Sequence, residues 1–270
     1  MANAGLCVLD LNIQSIYAKF DEFQLFIERV SESHPISVIC LNECWINEGS
    51  DLTTIQLPNY KMFHERGTRV GHGHCGLVMY VHEQFKCKEI QLNEISTTWD
   101  YQCIELSHSK PNSKKYIVCN FYRLPGGTVE ELNIFTDEFS TVLNKIKRLK
   151  VSSFICGDGN IDLLKISTNR SACNFFESVI SNGFFPRITL PTRLSVSGNS
   201  NTLIDNIWTN CIEDNVLSES GILINDISDH KIIFTCQDNN AFKDNSEKSI
   251  EMEVQNCIDE LISLHNQISP

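Results

Sequence analysis
Short apolar, β-branched runs recur along this chain, and each stops on a residue able to carry chemistry. Leu6 to Leu11 ends on Asn12, Val38 to Leu41 on Asn42 and Glu43, and Tyr116 to Cys119 on Asn120, Phe121 and Tyr122. Phe154 to Cys156 ends on Gly157-Asp158-Gly159-Asn160, Leu203-Ile204 runs into Asp205, and Ile222 to Ile227 leads into Ser228-Asp229-His230. Runs of this length read as buried strands. Between them lie helical stripes: Phe20, Phe23, Ile27 and Val30 within Ile16 to Ser33, and Leu132, Phe135, Phe139, Val142, Leu143, Ile146 and Leu149 within Thr128 to Lys150. Thr128 followed by Glu131 is a capping-box signal, and Ala172 to Asn182 is a third helix stopped by Gly183. Gly76 to Val81 and Gln102 to Leu106 look like strands joined by polar turns. Strands paired by short turns and also linked by helices predict a mixed sheet system covered by helices, not a purely parallel one.

Size and charge bound the rest. With 270 residues, 41% of them hydrophobic, the chain can build one large α/β domain or two small ones. The formal net charge is -12, so long-range attraction to nucleic acid is weak, and any contact with phosphates needs a local patch or a bound cation. Arg66, Arg69, Arg123, Arg187 and Arg193 fall in expected loops and could form such a patch. The 12 cysteines lie mostly inside apolar runs, Cys7 and Cys236 among them, in a long chain with no secretory leader. That predicts buried free thiols, a reducing intracellular setting and no membrane span. After Asp238 the composition turns polar. Residues 1–238 are expected to form the folded domain, and 239–270 a linker followed by a short C-terminal helix.

Each polar strand end has a plain reading and a chemical one. Glu43 is a solvated strand end or a ligand for Mg²⁺, which favours hard carboxylate oxygens. Asp158 and Asn160 make a tight turn, or they orient and deprotonate a water and hold a phosphate oxygen. Asp229 could touch a metal, and His230 could stabilise phosphoryl charge, its tautomer fixed by Asp205. His72-Gly73-His74-Cys75 offers zinc-type ligands, but a fourth is missing and the glycines indicate a turn. Arg187 and Pro191-Thr192-Arg193 contact phosphates or solvent. No Walker loop, GxGxxG, GxSxG or HExxH occurs. Together the strand ends suit metal-assisted hydrolysis of a phosphate ester.

In this order, Asn12, Glu43, "NFYRLPGG" (120–127), "GDGNIDLL" (157–164), "TLIDNIWTN" (202–210) and "ISDHKIIF" (227–234) resemble the endonuclease/exonuclease/phosphatase superfamily. Within it they resemble the endonuclease domain of non-LTR (LINE-type) retrotransposons, relatives of the abasic-site endonucleases. The likeness covers about Leu6 to Cys236. It implies an α/β (α+β) four-layer sandwich of two packed, mostly antiparallel β-sheets flanked by helices. It also implies Mg²⁺- (or Mn²⁺-) dependent nicking of DNA that leaves a 3′ hydroxyl, in the nucleus, with a reverse transcriptase domain of a parent polyprotein as possible partner and a monomeric state.

Carried over by position, Asn12, Glu43, Tyr122, Asp158, Asn160, Asp205, Asp229 and His230 are the catalytic set, with Glu43, Asp229 and Asn12 on the metal. Three positions depart from the family pattern. Gly159 stands where an apolar or aromatic residue is usual and is expected to loosen Asp158. Cys75 replaces the first glycine of a pair, and Gln14 stands where repair enzymes carry a second carboxylate. A phosphomonoesterase or lipid phosphodiesterase on the same scaffold, or an inactive domesticated binding module, are the alternatives.

Overall fold
In the computed structural model the described residues are 5–66, 75–92, 98–109, 113–194, 201–211 and 217–238. The apolar runs are strands, and their ends lie together. The chain order is β1 (Leu6–Asn12), α1 (Ile16–Ser31), β2 (Val38–Asn42), β3 (Tyr60–Glu65), β4 (Leu77–His82), β5 (Phe85–Glu89), β6 (Trp99–His108) and β7 (Lys115–Arg123). It continues with α2 (Val129–Arg148), β8 (Ser152–Asp158), α3 (Arg170–Ser181), β9 (Phe185–Pro186), β10 (Asp205–Thr209), β11 (Leu217–Leu223) and β12 (Ile232–Asp238).

Two six-stranded sheets result, in the orders β11-β12-β1-β2-β4-β3 and β5-β6-β7-β8-β10-β9. Each holds one parallel pair, β1 with β2 and β7 with β8, and all other pairings are antiparallel. A parallel pair needs a crossover, which α1 supplies in the first sheet and α2 in the second. The expected mixed, mostly antiparallel system of two packed sheets with flanking helices is therefore what forms.

Alternation along the strands makes the layers. Leu9, Leu11, Ile39, Leu41, Val78 and Tyr80 pack with Phe20, Phe23 and Ile27 of α1. The intervening Val8, Val38, Cys40 and Met79 face the second sheet and join Val118, Cys156 and Ile207 there. On the outer face of the second sheet, Phe135 and Phe139 of α2 and Phe175 of α3 pack in a ring cluster with Trp99 and Trp208. Each such buried aromatic side chain stabilises by roughly 2–3 kcal/mol. The α2 cap is as expected: Thr128 accepts from the Glu131 backbone N–H, and the Glu131 carboxylate accepts from that of Thr128.

Three expectations need correction. Ile222 to Ile227 is not one strand, because β11 stops at Leu223 and Ile224 is 88% exposed in the turn that follows. Asp205 opens β10; it does not end a strand that begins near Thr202. Cys7 and Cys236 are not free thiols: they occupy paired positions on β1 and β12, on one face, and form a disulfide. The other described cysteines form no disulfide, and most are buried. His72 and His74, Arg69, and the linker and helix expected in 239–270 lie outside the described residues. No helix among the described residues is long and apolar enough to cross a membrane.

Candidate active site
At one end of the space between the sheets, apolar packing gives way to a fully buried polar layer: Asp10 and Asn12 of β1, Asn42 of β2, Asn120 of β7, Asp158 of β8, Asp205 of β10 and His230. Buried polar groups demand partners, and most here find them across sheets. Asn120 Nδ2 donates to the carbonyls of Leu41 and Val78, tying the second sheet to the first at 3.0 and 3.3 Å.

All eight sequence-predicted site residues meet in one network. Tyr122 donates its hydroxyl to Glu43 Oε1 at 2.7 Å. Asn12 Nδ2 donates to that same oxygen at 2.9 Å and to Asp158 Oδ2 at 2.9 Å. The backbone N–H of Asn160 donates to Asp158 Oδ1 at 2.7 Å, while its side chain donates to the Arg123 carbonyl. Asp158 Oδ2 lies 4.0 Å from His230 Nδ1, which sits 3.0 Å from both oxygens of Asp205. Asp229 Oδ1 is 3.9 Å from His230 Nε2. Glu43 and His230, from different ends of the sequence, thus line one site.

Local backbone geometry aims these groups. Glu43 has φ 48°, Asn160 48°, Gln14 51°, Ser15 80° and Trp45 57°, so left-handed residues cluster around the site. Strain of this kind persists where the surroundings over-determine it. Gly157, with φ 150°, is required for another reason: a Cβ there would lie 2.0 Å from the Phe121 carbonyl oxygen. At Gly159 the nearest neighbour of an added Cβ is 3.8 Å away, so a side chain fits. The expected looseness at Gly159 is countered by three bonds: two on the Asp158 carboxylate, and one from the Gly159 N–H to the Ile204 carbonyl at 3.1 Å.

Electrostatics separate the acids from the base. Burial, reinforced by Asp205, raises Asp158 to about 7, although His230 and the Asn160 and Asn12 bonds pull it down. Burial by itself lowers His230, but Asp205, Asp158 and Asp229 outweigh it and bring the imidazole to about 9. The three carboxylates thus favour the imidazolium, with Nδ1 against Asp205 and Nε2 3.9 Å from Asp229 Oδ1. Asp10 is pushed well up by burial and by its acidic neighbours.

One group of oxygen and nitrogen donors among the described residues has the spacing to hold a metal ion. Ligand atoms of Asp158, Asp205 and His230 lie within 4.8 Å of one another. Of these, His230 Nδ1 is committed to Asp205 at 3.0 Å, while Asp158 lies 4.0 Å from it. Elsewhere, Asn12 Oδ1 and Asp229 Oδ1 are buried oxygens without a hydrogen-bond donor among the described residues, and the half-buried Glu43 is bonded to Asn12 Nδ2. Hard oxygen donors fit Mg²⁺ or Mn²⁺.

Sequence reasoning missed several supports. Thr192 Oγ1 donates to Asp205 Oδ2 at 2.6 Å and accepts from the N–H groups of Ile204 and Asp205, so it fixes the partner of His230. From sequence it reads only as a loop residue near phosphate. Asp10, whose Oδ1 accepts from Asn42 Nδ2 at 2.9 Å, is hidden in an apolar run. A charged residue mid-strand, in step with Asn12, is the available signal. Most arginines expected to form a phosphate patch are spent elsewhere. Arg66 binds the Asn47 and Glu48 carbonyls, Arg123 is buried on the carbonyls of Leu124 and Gly126, and Arg187 donates to Ser218.

No family model and no curated protein sequence matches the chain. Solved structures do. An AP endonuclease from Leishmania major superposes with a TM-score of 0.69 at 12% identity, over 87% of this chain and 88% of that one. The endonuclease domain of TRAS1, a telomere-specific non-LTR retrotransposon, gives 0.59 at 15% identity, over 86% and 98%. Danio rerio TDP2 bound to a single-strand DNA product gives 0.58 at 13% identity, over 87% and 99%.

Proposed function
We propose that this chain, which has the endonuclease/exonuclease/phosphatase fold, is a divalent-metal-dependent DNA endonuclease of the retrotransposon type. The observation that carries the reading is the continuous hydrogen-bonded path from Tyr122 through Glu43, Asn12 and Asp158 towards the His230–Asp205 pair. Packing alone gives no reason to bury such a set at the convergent ends of two sheets, since unpaired buried polar groups cost stability. The run of motifs shared with LINE-type endonucleases supports DNA as the substrate.

Glu43, Asn12 and Asp229 would hold Mg²⁺ or Mn²⁺. When bound, the ion supplies positive charge to the phosphoryl oxygens of the scissile diester. The remaining work falls to the chain. Asp158, poised near neutrality, accepts the proton of the attacking water, and Asn160 fixes its carboxylate through the backbone. His230, held by Asp205, donates from Nε2 to the phosphate as charge builds on it. Tyr122 braces Glu43 and contacts the phosphate or the leaving group. As the water bonds to phosphorus the bond to the 3′ oxygen breaks, and that oxygen takes a proton from solvent, leaving a 3′ hydroxyl on one strand end and a 5′ phosphate on the other. Residues 239–270 would connect to a reverse transcriptase domain of a parent polyprotein, and the chain would act as a monomer in the nucleus.

Nicking of supercoiled plasmid with Mg²⁺ against EDTA tests the reading. Cleavage should vanish in EDTA and in Asp158→Ala and His230→Ala proteins whose circular dichroism is unchanged. Turnover of phosphoinositide or sphingomyelin with intact plasmid would overturn it in favour of a lipid phosphodiesterase. DNA binding without cleavage in both Mg²⁺ and Mn²⁺ would indicate an inactive binding module.

A further inference from the structure
One arginine stands apart from those absorbed by structure. Arg193 lies on a segment stitched to the catalytic end of both sheets. Its backbone pairs in both directions with Thr202 at 3.0 Å and forms a bridge to His230. On one side, Lys231 N–H donates to the Thr192 carbonyl at 2.7 Å; on the other, Leu194 N–H donates to the Asp229 carbonyl at 3.3 Å. Thr192 itself is fully buried against Asp205. The Cα of Arg193 is thus fixed relative to His230, as a freely solvated loop residue would not be.

Its side chain is half committed. Nε donates to Asp229 Oδ2 at 2.9 Å, and Nη1 and Nη2 have no partner among the described residues. The side chain is 44% exposed. Asp158 and Glu43 also act on the guanidinium electrostatically, so it sits in the field of three site carboxylates. Charge compensation alone needs only proximity. A guanidinium held along one edge, with its remaining N–H groups turned free, has the geometry that receives an anionic oxygen pair.

We propose that Arg193 contacts a phosphate of the DNA strand being cut, with Asp229 holding the guanidinium edge-on so that Nη1 and Nη2 face the diester. The inference rests on the endonuclease reading and adds a phosphate-binding residue to it. Asp229 then serves twice, positioning Arg193 through Oδ2 and keeping Oδ1 for the metal side. In a chain with net charge -12, one fixed cation at the reacting phosphate offsets what the remote surface cannot supply.

The test separates contact from mere bracing. Binding of a short fluorescent duplex is measured by anisotropy against salt concentration, with Ca²⁺ replacing Mg²⁺, and nicking is measured separately. Losing one phosphate contact should lower the slope of log K against log salt by about 0.9 in Arg193→Ala and Arg193→Gln, while Arg193→Lys keeps it. Nicking should fall roughly 10- to 100-fold in the first two, as when a hydrogen bond to a charged group is lost. An unchanged slope in folded Arg193→Gln, whatever happens to cleavage, overturns the proposal and leaves Arg193 as a brace for Asp229. A wild-type protein that shows the salt slope but no nicking in Mg²⁺ or Mn²⁺ would sink the endonuclease reading alone. One with no measurable DNA binding would sink both.

Discussion
The two sheets are built on one plan and finished differently. Each has an antiparallel hairpin, then a parallel pair bridged by a helix, then a second antiparallel hairpin, so β12-β1-α1-β2-β4 corresponds to β6-β7-α2-β8-β10. No sequence repeat accompanies this. In the second half the chain leaves β7 through a Pro-Gly-Gly turn and starts α2 with a complete capping box. In the first half it leaves β1 straight into α1, whose N-cap Ser15 sits at φ 80° and makes no side-chain cap. There the N–H groups of Ile13, Ser15 and Ile16 go to the carbonyls of Asn42, Glu43 and Cys44. One half builds an ordinary helix start; the other gives up a cap worth about 1 kcal/mol to lock Gln14 and Glu43 at the site. Equivalent strand ends then carry different acids, Glu43 after β2 and Asp158 at the end of β8.

The sharpest way to break that comparison is to neutralise the two acids in turn. Asp158→Asn should lower single-turnover nicking by roughly 10³–10⁴-fold, as loss of a general base does. It should also make the metal-free protein more heat-stable, because burial and Asp205 disfavour the native carboxylate. Glu43→Gln should instead raise the Mg²⁺ concentration for half-maximal nicking roughly 10- to 100-fold. Equal effects on rate and on metal demand from both substitutions would erase the division of labour.

A second contrast lies within one turn. Gly157→Ala should destabilise by at least about 3 kcal/mol, since its Cβ would overlap the Phe121 carbonyl. Gly159→Ala has open space and should stay within about 1 kcal/mol of wild type in denaturant unfolding. A large loss at Gly159 would contradict the turn geometry.

Third is pH, read on metal-free protein in EDTA. The native His230 is held at about 9 against an ordinary 6.5, so its stabilisation is complete below pH 6.5 and is lost as pH rises through 9. That is worth on the order of 3 kcal/mol. Asp158, raised from 3.8 to about 7, favours the fold at low pH and has lost that contribution once pH passes 7. Unfolding free energy should therefore fall between pH 7 and 9, and His230→Gln should flatten that limb. The smallest effect concerns the helix starts: Thr128→Ala should cost about 1 kcal/mol, and Ser15→Ala at most a few tenths, by urea unfolding.

Legibility follows burial. The interior strands β1, β2, β4, β7 and β8 each bury both faces and are visible as apolar runs. β3, β5 and β9, which sequence patterning misses, and β11, which it misplaces, are the four edges of the two sheets, whereas the interior β10 is only misbounded. Tyr60–Glu65 has no buried residue and Phe85–Glu89 buries only Phe85, so neither makes an apolar run. The site obeys the same logic. Residues just past an apolar run, such as Asn12, Glu43 and Asp158, announce themselves by contrast. Thr192 and Arg193 lie in a loop with no periodicity, and only the partners brought to them give them a role.

The sequence by itself determined the central strands, the three amphipathic helices, the α2 cap and the set of polar groups at strand ends, because these follow from local periodicity and from which side chains tolerate burial. Tertiary structure alone decided that the sheets stack with those ends at one edge, that Asp10 meets Asn42, that Cys7 faces Cys236, and that Asp229 turns towards Arg193 as well as His230. Strand order and sheet stacking bring together residues up to 229 positions apart, and no local pattern encodes such a meeting.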